Sequence, residues 1–510
     1  MATTAVRTRY SSRDHPLPGP LAAIAITVGT TTLGFMAGSS PALAVILAAG
    51  AVLVVAVAVR PEIATLAVLA LLYSNAAVLA VTFHGMPAFI SAAVPMLLAA
   101  PLVHLVLVRR ERLVAVPALP WVIGFGVVQV VGTIAVSSST TAVTTLGTFV
   151  LEGLGIYFVV TNVVRTRDVL IKAVWVVVLV GAFLGALSVF QEVTGSTSNE
   201  WWGFAQASNA VIGEDGGVAE TAVRLGGPLG QNNRYAQMML VLVPVAMFLC
   251  RSERRPWAQL VSGGATVLIA AGVVLSYSRG GAVGLAVAFV VMAALRYVQV
   301  RTVVIVGALV ATVVLSVPQY RDRLATLGAV SELTADDDGE TGVDSSIASR
   351  ATENVAAFLA FADHPLLGVG PGLFATVYQD YAEQVEGDVA RVKSSPREAH
   401  NLYLGVAAEN GLPGIICLGG VFVVTLRELA RARRRCLERD PALAALASGF
   451  LIAVVAYMAS AVFLHFAFIR YFWLLMALAA ATARIAQRTV AADEPGPRSA
   501  TEVPVPAPAP

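Results

Sequence analysis

The chain has little charge and few cysteines for its length of 510 residues. Only 13% of its residues are Asp, Glu, Lys or Arg, whereas 57% are hydrophobic, and this balance excludes an ordinary soluble protein. The formal net charge of +2 at pH 7 gives no basis for nucleic-acid binding. The cysteines, Cys250, Cys417 and Cys436, are far apart and form neither a disulfide framework nor a metal-ligand pattern. The composition therefore predicts a polytopic membrane protein with structural cysteines and no metal site.

Long apolar runs fill most of the sequence. A membrane-spanning helix needs about 20 mostly apolar residues, and windows of that length predict about 12 to 14 spans, all of them α-helical. The first run continues past Met36 and more spans follow at once, so it is predicted to be a span rather than a cleaved signal peptide. The fourteen candidates are 21–38, 42–59, 63–81, 89–108, 119–136, 143–163, 169–190, 235–250, 257–276, 280–298, 302–318, 412–429, 442–464 and 467–485.

The distribution of basic residues orients these spans. With a cytoplasmic N-terminus, 24 of the 34 Lys and Arg residues fall on the cytoplasmic side, as the positive-inside rule requires. Both termini are then cytoplasmic. The predicted organisation is a cytoplasmic tail (1–20), an N-terminal transmembrane bundle (21–190), a transmembrane core (191–318) with an extracytoplasmic loop at 191–234, an extracytoplasmic catalytic loop (319–411), C-terminal transmembrane helices (412–485) and a disordered cytoplasmic tail (486–510).

The two long outer loops carry different patterns. Residues 191–234 contain Trp201 and Trp202, which suit a lipid interface, and a Gly-rich stretch, and they predict an ordered loop that re-enters the membrane. Residues 319–411 contain two amphipathic helical patterns, which predict a small helical cap on the outer face. The apolar positions of these patterns are Ile347, Ala351, Val355, Phe358, Leu359 and Ala362, and then Leu373, Phe374, Val377, Tyr378 and Tyr381.

Four short elements follow one another along the predicted outer side. They are Gly-Pro-Leu-Gly-Gln-Asn-Asn at 227–233, Ser-Arg-Gly-Gly at 278–281, Arg350 followed by His-Pro-Leu-Leu-Gly-Val-Gly-Pro-Gly at 364–372, and His400-Asn401 with nine residues before Gly-Leu-Pro-Gly at 411–414. In this order and spacing they resemble the elements of bacterial O-antigen ligases and Wzy-type polysaccharide polymerases. The resemblance covers roughly residues 220–430.

The resemblance implies a GT-C-like membrane glycosyltransferase that uses neither a metal nor another cofactor. Its donor would be a glycan on a polyprenyl diphosphate, typically undecaprenyl diphosphate, at the outer face of the cell membrane. Ligases pass the glycan to a lipid or other hydroxyl acceptor, whereas polymerases pass it to another lipid-linked repeat unit, and the sequence leaves both open. It also leaves room for partners that set chain length or export the polysaccharide.

Arginines suit the diphosphate of such a donor. A site without metal must supply fixed cations to stabilise the leaving group, and a guanidinium stays charged and offers paired donors to phosphate oxygens. Arg279, at the mouth of a span, is therefore predicted to be catalytic, and Arg224 and Arg350 to bind substrate. Each could instead snorkel or form a structural salt bridge. Asn232 and Asn233 are also predicted to bind substrate, with capping of the next span as the alternative.

His400 is the predicted general base, and Asn401 beside it a predicted substrate ligand. The histidine would accept the proton of the acceptor hydroxyl as that oxygen attacks the anomeric carbon and the diphosphate leaves, with inversion of configuration. It opens a helical pattern that Gly411 and Pro413 close, and the positive end of a helix favours a neutral ring. The alternative is a structural histidine at a cap or interface.

Glu152 supports a rival interpretation. It lies in the middle of a predicted span, where a carboxylate needs a partner or a cavity. A polytopic transporter or flippase of lipid-linked saccharides would use such a group, although it should show several of them and an internal repeat. Arg470, near Tyr471 and Trp473, is interpreted as an interfacial anchor. A passive scaffold is the third interpretation, and it predicts that each outer polar residue can be replaced singly.

Overall fold

The computed structural model describes residues 61–87, 99–137, 139–212, 220–299, 345–385, 396–464 and 469–492, with isolated positions at 90, 91, 94, 97, 301 and 304. The chain divides into two compact units, Met1–Ala64 and Thr65–Pro510. The predicted tail 1–20, the candidate spans 21–38, 42–59 and 302–318 and most of the predicted tail 486–510 lie outside the described residues.

The described chain is almost entirely helical, which confirms the all-α polytopic prediction. The first helices are α1 (Pro61–Tyr73), α2 (Ala76–His84), α3 (Ala99–Val108), α4 (Leu119–Ala135), α5 (Thr140–Val163), α6 (Arg167–Thr194), α7 (Asn232–Ser252), α8 (Pro256–Leu275) and α9 (Arg279–Ala294). The later helices are α10 (Ser345–Asp363), α11 (Phe374–Ala382), α12 (Leu402–Cys436), α13 (Pro441–Ser460) and α14 (Ile469–Ala492).

Six helices of the described chain are long and apolar enough to cross a membrane, namely α5, α6, α7, α8, α12 and α13. The number is seven if α1 and α2 count as one span, because they bend by 55° at a short break. That break falls at Asn75, which has a φ of 60° and therefore leaves the right-handed helix. The total of 12 to 14 spans includes residues outside the described ranges and stays a prediction.

The core of the bundle forms around α14. Almost every side chain from Tyr471 to Ala486 is buried, and Trp473 is fully inaccessible. The indole of Trp473 meets the rings of Phe149 and Tyr157 edge to face, with centroids 5.6 Å and 6.0 Å apart. The predicted span at 467–485 is therefore a central helix, and it continues to Ala492, into the segment predicted as a tail.

The outer loop 191–234 contains a β-hairpin that the sequence analysis did not predict. Strand β1 (Gln206–Ile212) pairs antiparallel with β2 (Glu220–Gly227), after a 3-10 turn at Trp201–Gly203. Strand β1 has no clean alternation of apolar and polar residues, so a period-2 pattern was not available to reveal it. Entry of this loop into the membrane stays a prediction.

The cap consists of α10 and α11, where the two amphipathic patterns predicted helices. It has its own small core, in which Ala356, Ala357 and Ala360 pack near Phe374 and Tyr378. The buried face of α10 is nevertheless not the predicted stripe, because Val355 is 43% exposed and Phe358 is 55% exposed. Small alanines face inward instead and allow close packing. The cap core also includes Ala399 and Ala408, which lie on either side of His400 in the sequence.

Candidate active site

His400 lies in the segment 396–401, which leads into α12. Its backbone has a φ of 46°, an uncommon left-handed conformation for a residue other than glycine. Asn401 is the N-cap of α12, and its side-chain oxygen accepts hydrogen bonds from the backbone N–H groups of Tyr403 and Leu404. The histidine therefore stands just before a helix N-terminus. The Asn401 side-chain oxygen thus already accepts two hydrogen bonds within the protein, and contact of Asn401 with substrate stays a prediction.

Two acceptors lie next to Nδ1 of His400. The carbonyl oxygen of Glu398 is 3.0 Å away with hydrogen-bond geometry, and Oε2 of Glu353 is 2.8 Å away, at ion-pair distance. Because a carbonyl and an ionised carboxylate cannot donate, these neighbours assign the ring hydrogen of a neutral His400 to Nδ1. Nε2 then carries the lone pair of the ring, which is the feature that a general base needs.

Glu353 is a neighbour of His400 that the sequence analysis missed. It lies in the middle of α10, and its side chain is only 2% exposed. Ser349, one turn earlier, donates from its hydroxyl to Oε1 at 3.4 Å, and Nε of Arg397 lies 4.0 Å from the same oxygen. The signal in the sequence was the pair Ser349 and Glu353, two polar residues four positions apart on the Ala-rich face of an amphipathic helix. That signal also fits an ordinary capped or solvated helix.

Arg234 joins the start of α7 to the His400 segment and is the second missed residue. Its Nη2 lies 3.1 Å from Oε2 of Glu398, the residue whose carbonyl oxygen meets the histidine ring. The arginine side chain is 16% exposed and the glutamate side chain 47%. The ion pair therefore fixes the backbone of the segment next to His400. From the sequence alone, Arg234 was one outer basic residue among ten.

Arg279 is the first residue of α9 and is half-buried at the turn after α8. Ser278 caps this helix through a hydrogen bond from the backbone N–H of Gly281 to its hydroxyl, at 3.3 Å. Asn232 donates from Nδ2 to the carbonyl oxygen of Ser276, at 3.0 Å, so the start of α7 is tied to the same turn. Asn232 does not cap α7. Its amide makes a structural link, and its role as a substrate ligand stays a prediction.

The turn that bears Arg279 also carries a strained tyrosine. Tyr277 has a φ of 52°, and its hydroxyl donates to Glu192 Oε1 at 3.4 Å. Burial, followed by the nearby Glu192 carboxylate, raises the pKa of Tyr277 above its ordinary value. The phenol therefore stays protonated and supports the turn rather than titrating near neutral pH.

The first turn of α7 thus contacts both predicted catalytic elements. Asn232 reaches the turn that bears Arg279, and Arg234 reaches the segment that bears His400. Asn233 lies between them in the sequence and is half-buried. The elements that carry the predicted catalytic residues therefore converge at one end of α7, although 121 positions separate the two residues along the chain.

Arg224 enters this region on strand β2, opposite Ser208 of β1. The strand continues through a turn into α7. Gly227 in that turn has a φ of 53°, and its backbone packs against the ring of Tyr235 so closely that a Cβ at position 227 would lie 2.4 Å from the ring. Among the described residues, Nε of Arg224 is buried and has no hydrogen-bond partner. A buried donor in that state calls for an explanation, and a bound anion would supply one.

Arg350 lies on α10, three positions before Glu353. Residues three apart on a helix are neighbours on its surface. The third predicted arginine is therefore on the cap element that also contacts His400. Its side chain is only partly exposed.

The glycine elements at 364–372 and 411–414 pack against each other. Helix α12 breaks at Gly411, whose φ of 62° and ψ of −164° are open essentially to glycine alone. Residues 365–370 fit against this break, where the backbone N–H of Leu412 donates to Pro365 O and that of Val369 to Ala408 O, both at 2.8 Å. The regular helical pattern that begins after His400 therefore does end at Gly411, as predicted, and a second helical segment follows the kink. The helix kinks there and continues to Cys436.

Glu152 is not a lone carboxylate. It lies on a turn of π-helix, Phe149–Gly155, within α5. Both of its oxygens meet the guanidinium of Arg470, with Nη2 3.0 Å from Oε1 and Nε 3.1 Å from Oε2. Nη1 of the same arginine donates to Oδ1 of Asn75 at 3.4 Å. Nδ2 of Asn75 in turn donates to the carbonyl oxygen of Pro228. This ion pair accounts for the buried charge that had suggested transport.

Within the described ranges, no group of three or more His, Cys, Asp or Glu side chains is placed to hold a metal ion. The cations that the site offers are the guanidinium groups of its arginines.

Comparison with known proteins places this site in a family. The family model Wzy_C, described as O-antigen ligase, matches residues 264–419, which include Arg279, Arg350 and His400 but not Arg224. No curated protein matches the chain. The resemblance that the sequence motifs predicted is therefore confirmed, in that residues 264–419 match the model of the O-antigen ligase family.

Proposed function

We propose that this O-antigen ligase-like membrane enzyme transfers or polymerises a glycan carried on a polyprenyl diphosphate, at the outer face of the cell membrane. The observation that supports it most is the environment of His400, where two acceptors next to Nδ1 leave Nε2 as a base. The histidine lies in the matched region, between the cap and the first turn of α12. The acceptor is a lipid, a glycan or another molecule with a hydroxyl group.

The proposed reaction is a direct displacement. Nε2 of His400 takes the proton of the acceptor hydroxyl while the hydroxyl oxygen forms a bond to the anomeric carbon. The bond between that carbon and the diphosphate oxygen breaks, and the diphosphate leaves with the electron pair. Attack from the side opposite the leaving group inverts the anomeric configuration. The proton on His400 then passes to water or to the departing diphosphate.

Arginines neutralise the leaving group in this proposal. Arg279 at the start of α9 adds its charge to the positive end of that helix, and both favour an anion there. Arg224 contributes its buried Nε, which has no hydrogen-bond partner among the described residues. Arg350 approaches from the cap. Fixed guanidinium groups act without a metal ion, and we therefore propose that the transfer is metal-independent.

A cavity offers a place for part of the glycan. It has a volume of about 700 Å³ and lies between the end of α4 and the cap, where Asp363, Asp380 and Gln384 line it. Carboxylates and amides form hydrogen bonds with sugar hydroxyls. Its position at the junction of cap and span suits selection of the acceptor, and we propose that role for it.

The alternative, a transporter or flippase of lipid-linked saccharides, depended on Glu152. Because Arg470 satisfies both oxygens of that carboxylate, the residue no longer requires a transported ion or substrate as its partner. A passive scaffold gives no account of the strained histidine.

The test uses purified protein in lipid with a defined polyprenyl-diphosphate oligosaccharide and candidate acceptors. We expect the initial rate to fall about 10²- to 10⁴-fold in His400→Ala and about 10²- to 10³-fold in Arg279→Ala. His84→Ala and Arg254→Ala, both exposed and remote from the site in sequence, are the matched controls and should stay near wild type. A chelator should leave the wild-type rate unchanged.

The products distinguish the classes of enzyme. Longer lipid-linked glycans identify a polymerase, and glycan on a different acceptor identifies a ligase. If a folded His400→Ala protein keeps the wild-type rate, His400 is not the base. If no glycan moves with any acceptor while the lipid-linked substrate crosses the bilayer, the protein is a transporter.

A further inference from the structure

One oxygen of Glu353 lies in an unusual state. Oε2 is buried and has no hydrogen bond within the described part of the chain, yet it lies 2.8 Å from Nδ1 of His400. Leaving a buried carboxylate oxygen without a hydrogen bond is strongly unfavourable, so such an atom needs an explanation. Nδ1 of His400 has hydrogen-bond geometry with the Glu398 carbonyl oxygen instead, at 3.0 Å. A small rotation of the ring would bring the hydrogen to the carboxylate.

The charges around this pair come from three elements. Helix α10 contributes Glu353 itself and, one turn away, Arg350. The segment before α12 contributes Arg397, with Nε 4.0 Å from Oε1 of Glu353, and Glu398. Helix α7 contributes Arg234, which pairs with the Glu398 carboxylate. The carboxylate of Glu353 therefore lies among cations, and its Oε2 faces Nδ1 of His400 at 2.8 Å.

We propose that Glu353 is a positioning residue that holds His400 in its active tautomer and stabilises the ring when it becomes charged. This inference rests on the proposed role of His400 as the base. In the resting enzyme, the carboxylate and the Glu398 carbonyl oxygen together keep the hydrogen on Nδ1. When Nε2 takes the acceptor proton, the imidazolium turns its Nδ1–H toward Oε2, and the two opposite charges meet. Glu353 stays ionised, and no proton passes to it.

A purely structural role for Glu353 makes different predictions. A carboxylate that only links α10 to Arg397 would affect folding and leave the chemistry of the folded fraction unchanged. A positioning carboxylate affects the chemical step and acts through His400 alone. The decisive readouts are therefore the division between kcat and KM and the effect of the substitution when His400 is absent.

The first experiment compares Glu353→Gln with wild type in the transfer assay, using full-length protein in lipid. Gln has the same shape but no charge, and we expect kcat to fall at least about 10-fold with KM within about 3-fold of wild type. Glu383→Gln is the matched control, because it removes an exposed carboxylate of the cap that pairs only locally with Gln379. It should keep the wild-type kcat. A kcat within about 2-fold of wild type in folded Glu353→Gln would overturn the proposal.

The second experiment places Glu353→Gln in the His400→Ala background. We expect no further loss beyond that of His400→Ala, because a residue that acts through the base has nothing left to act on. A further loss of the same size as in the wild-type background would show an independent role and overturn the proposal. If His400→Ala itself is as active as wild type, the proposed function fails first, and the two failures are distinguishable.

A third measurement does not require a Glu353 variant to fold. Nitrogen NMR of ring-labelled histidine in the full-length protein, with the His400 signal assigned by its loss in His400→Ala, reports which ring nitrogen carries the hydrogen. We expect Nδ1 to be protonated and Nε2 unprotonated in the neutral ring. The opposite tautomer would overturn the proposal.

Discussion

The bundle holds a partly buried carboxylate, Glu152, and the cap a fully buried one, Glu353, and the two carboxylates are partnered in different ways. In the bundle, one permanent cation meets both oxygens of Glu152, because the guanidinium of Arg470 is bidentate. In the cap, Oε2 of Glu353 faces a titratable histidine at 2.8 Å, and its arginine lies 4.0 Å from the other oxygen. The first arrangement is complete in the resting protein. In our proposal the second brings two opposite charges together only after the histidine has taken a proton.

This difference separates a structural charge from a functional one. A bidentate arginine fixes geometry and cannot release its proton, so the Glu152 pair holds helices α5 and α14 together. A carboxylate beside histidine can respond to a proton that arrives during the reaction. The carboxylate that looked functional in the sequence is therefore part of a structural pair, and the carboxylate for which we propose a function lay in an ordinary amphipathic pattern.

The largest effect on stability should come from breaking the bundle pair. Arg470→Gln leaves the Glu152 carboxylate, whose side chain is 18% exposed, without its cation. Loss of one partner from a buried pair typically costs about 3–5 kcal/mol, and we expect the lower end for this partly exposed pair. We expect a large fall in the yield of folded protein and in its thermal midpoint in detergent. The measurement is thermal unfolding followed by the monodisperse fraction in size-exclusion chromatography.

The double variant Glu152→Gln/Arg470→Gln is the control for this prediction. It removes both charges together and should recover much of the stability, because no unpaired charge stays buried. If the double variant is as unstable as the sum of the single ones, the two residues do not act as a pair. If Arg470→Gln is as stable as wild type, the bundle pair is not structural.

The joint between cap and bundle should give the next largest effect. Gly411→Ala forces a side chain into a backbone conformation that costs of order 1–3 kcal/mol, and its Cβ would lie 2.6 Å from the backbone of Leu366. We expect a lower thermal midpoint together with loss of transfer activity, since the kink sets how α12 leaves the cap. Circular dichroism melting and the transfer assay measure the two effects.

Gly419 of the same helix supplies the matched control. A Cβ there meets nothing within 4 Å, and Gly419 lies in regular helix beyond the kink. Gly419→Ala should be neutral or stabilise by up to about 1 kcal/mol, because alanine is the better helix former. Equal melting of the Gly411 and Gly419 variants would contradict the proposed importance of the kink.

The local periodicity of the sequence predicted the helices but not their partners. Apolar runs located spans such as α6 and α13 closely, and the amphipathic patterns located α10 and α11, because helix formation depends on nearby residues. The ion pair between Glu152 and Arg470 joins positions 318 residues apart, and no single-sequence pattern contains that information. The same limit hid Glu353 as the neighbour of His400.

The face that a helix buries was also beyond the sequence. In α10 the larger apolar residues suggested one stripe as the core, yet the alanines face inward because α12 packs closely against them. Exposed Val355 and Phe358 show that hydrophobicity in a membrane protein does not by itself indicate the protein interior. The family motifs singled out His400 and Arg279 as candidates, whereas the neighbouring residues Glu353 and Arg234 belong to no motif that the sequence analysis used.

The smallest effect should come from the pair Arg234–Glu398, which is partly exposed and supports the segment before His400. A double-mutant cycle with Arg234→Gln and Glu398→Gln should give a coupling energy of about 0.2–1 kcal/mol, as is usual for a pair in contact with water. The coupling should shrink at 1 M salt, where charges are screened within about 3 Å, while the coupling between Glu152 and Arg470 should persist. Thermal unfolding of the four proteins at low and high salt measures both. A salt-insensitive coupling of several kcal/mol would show that Arg234–Glu398 is a structural pair like Glu152–Arg470. The difference between the bundle and the cap would then rest on the pairing of Glu353 with His400 alone.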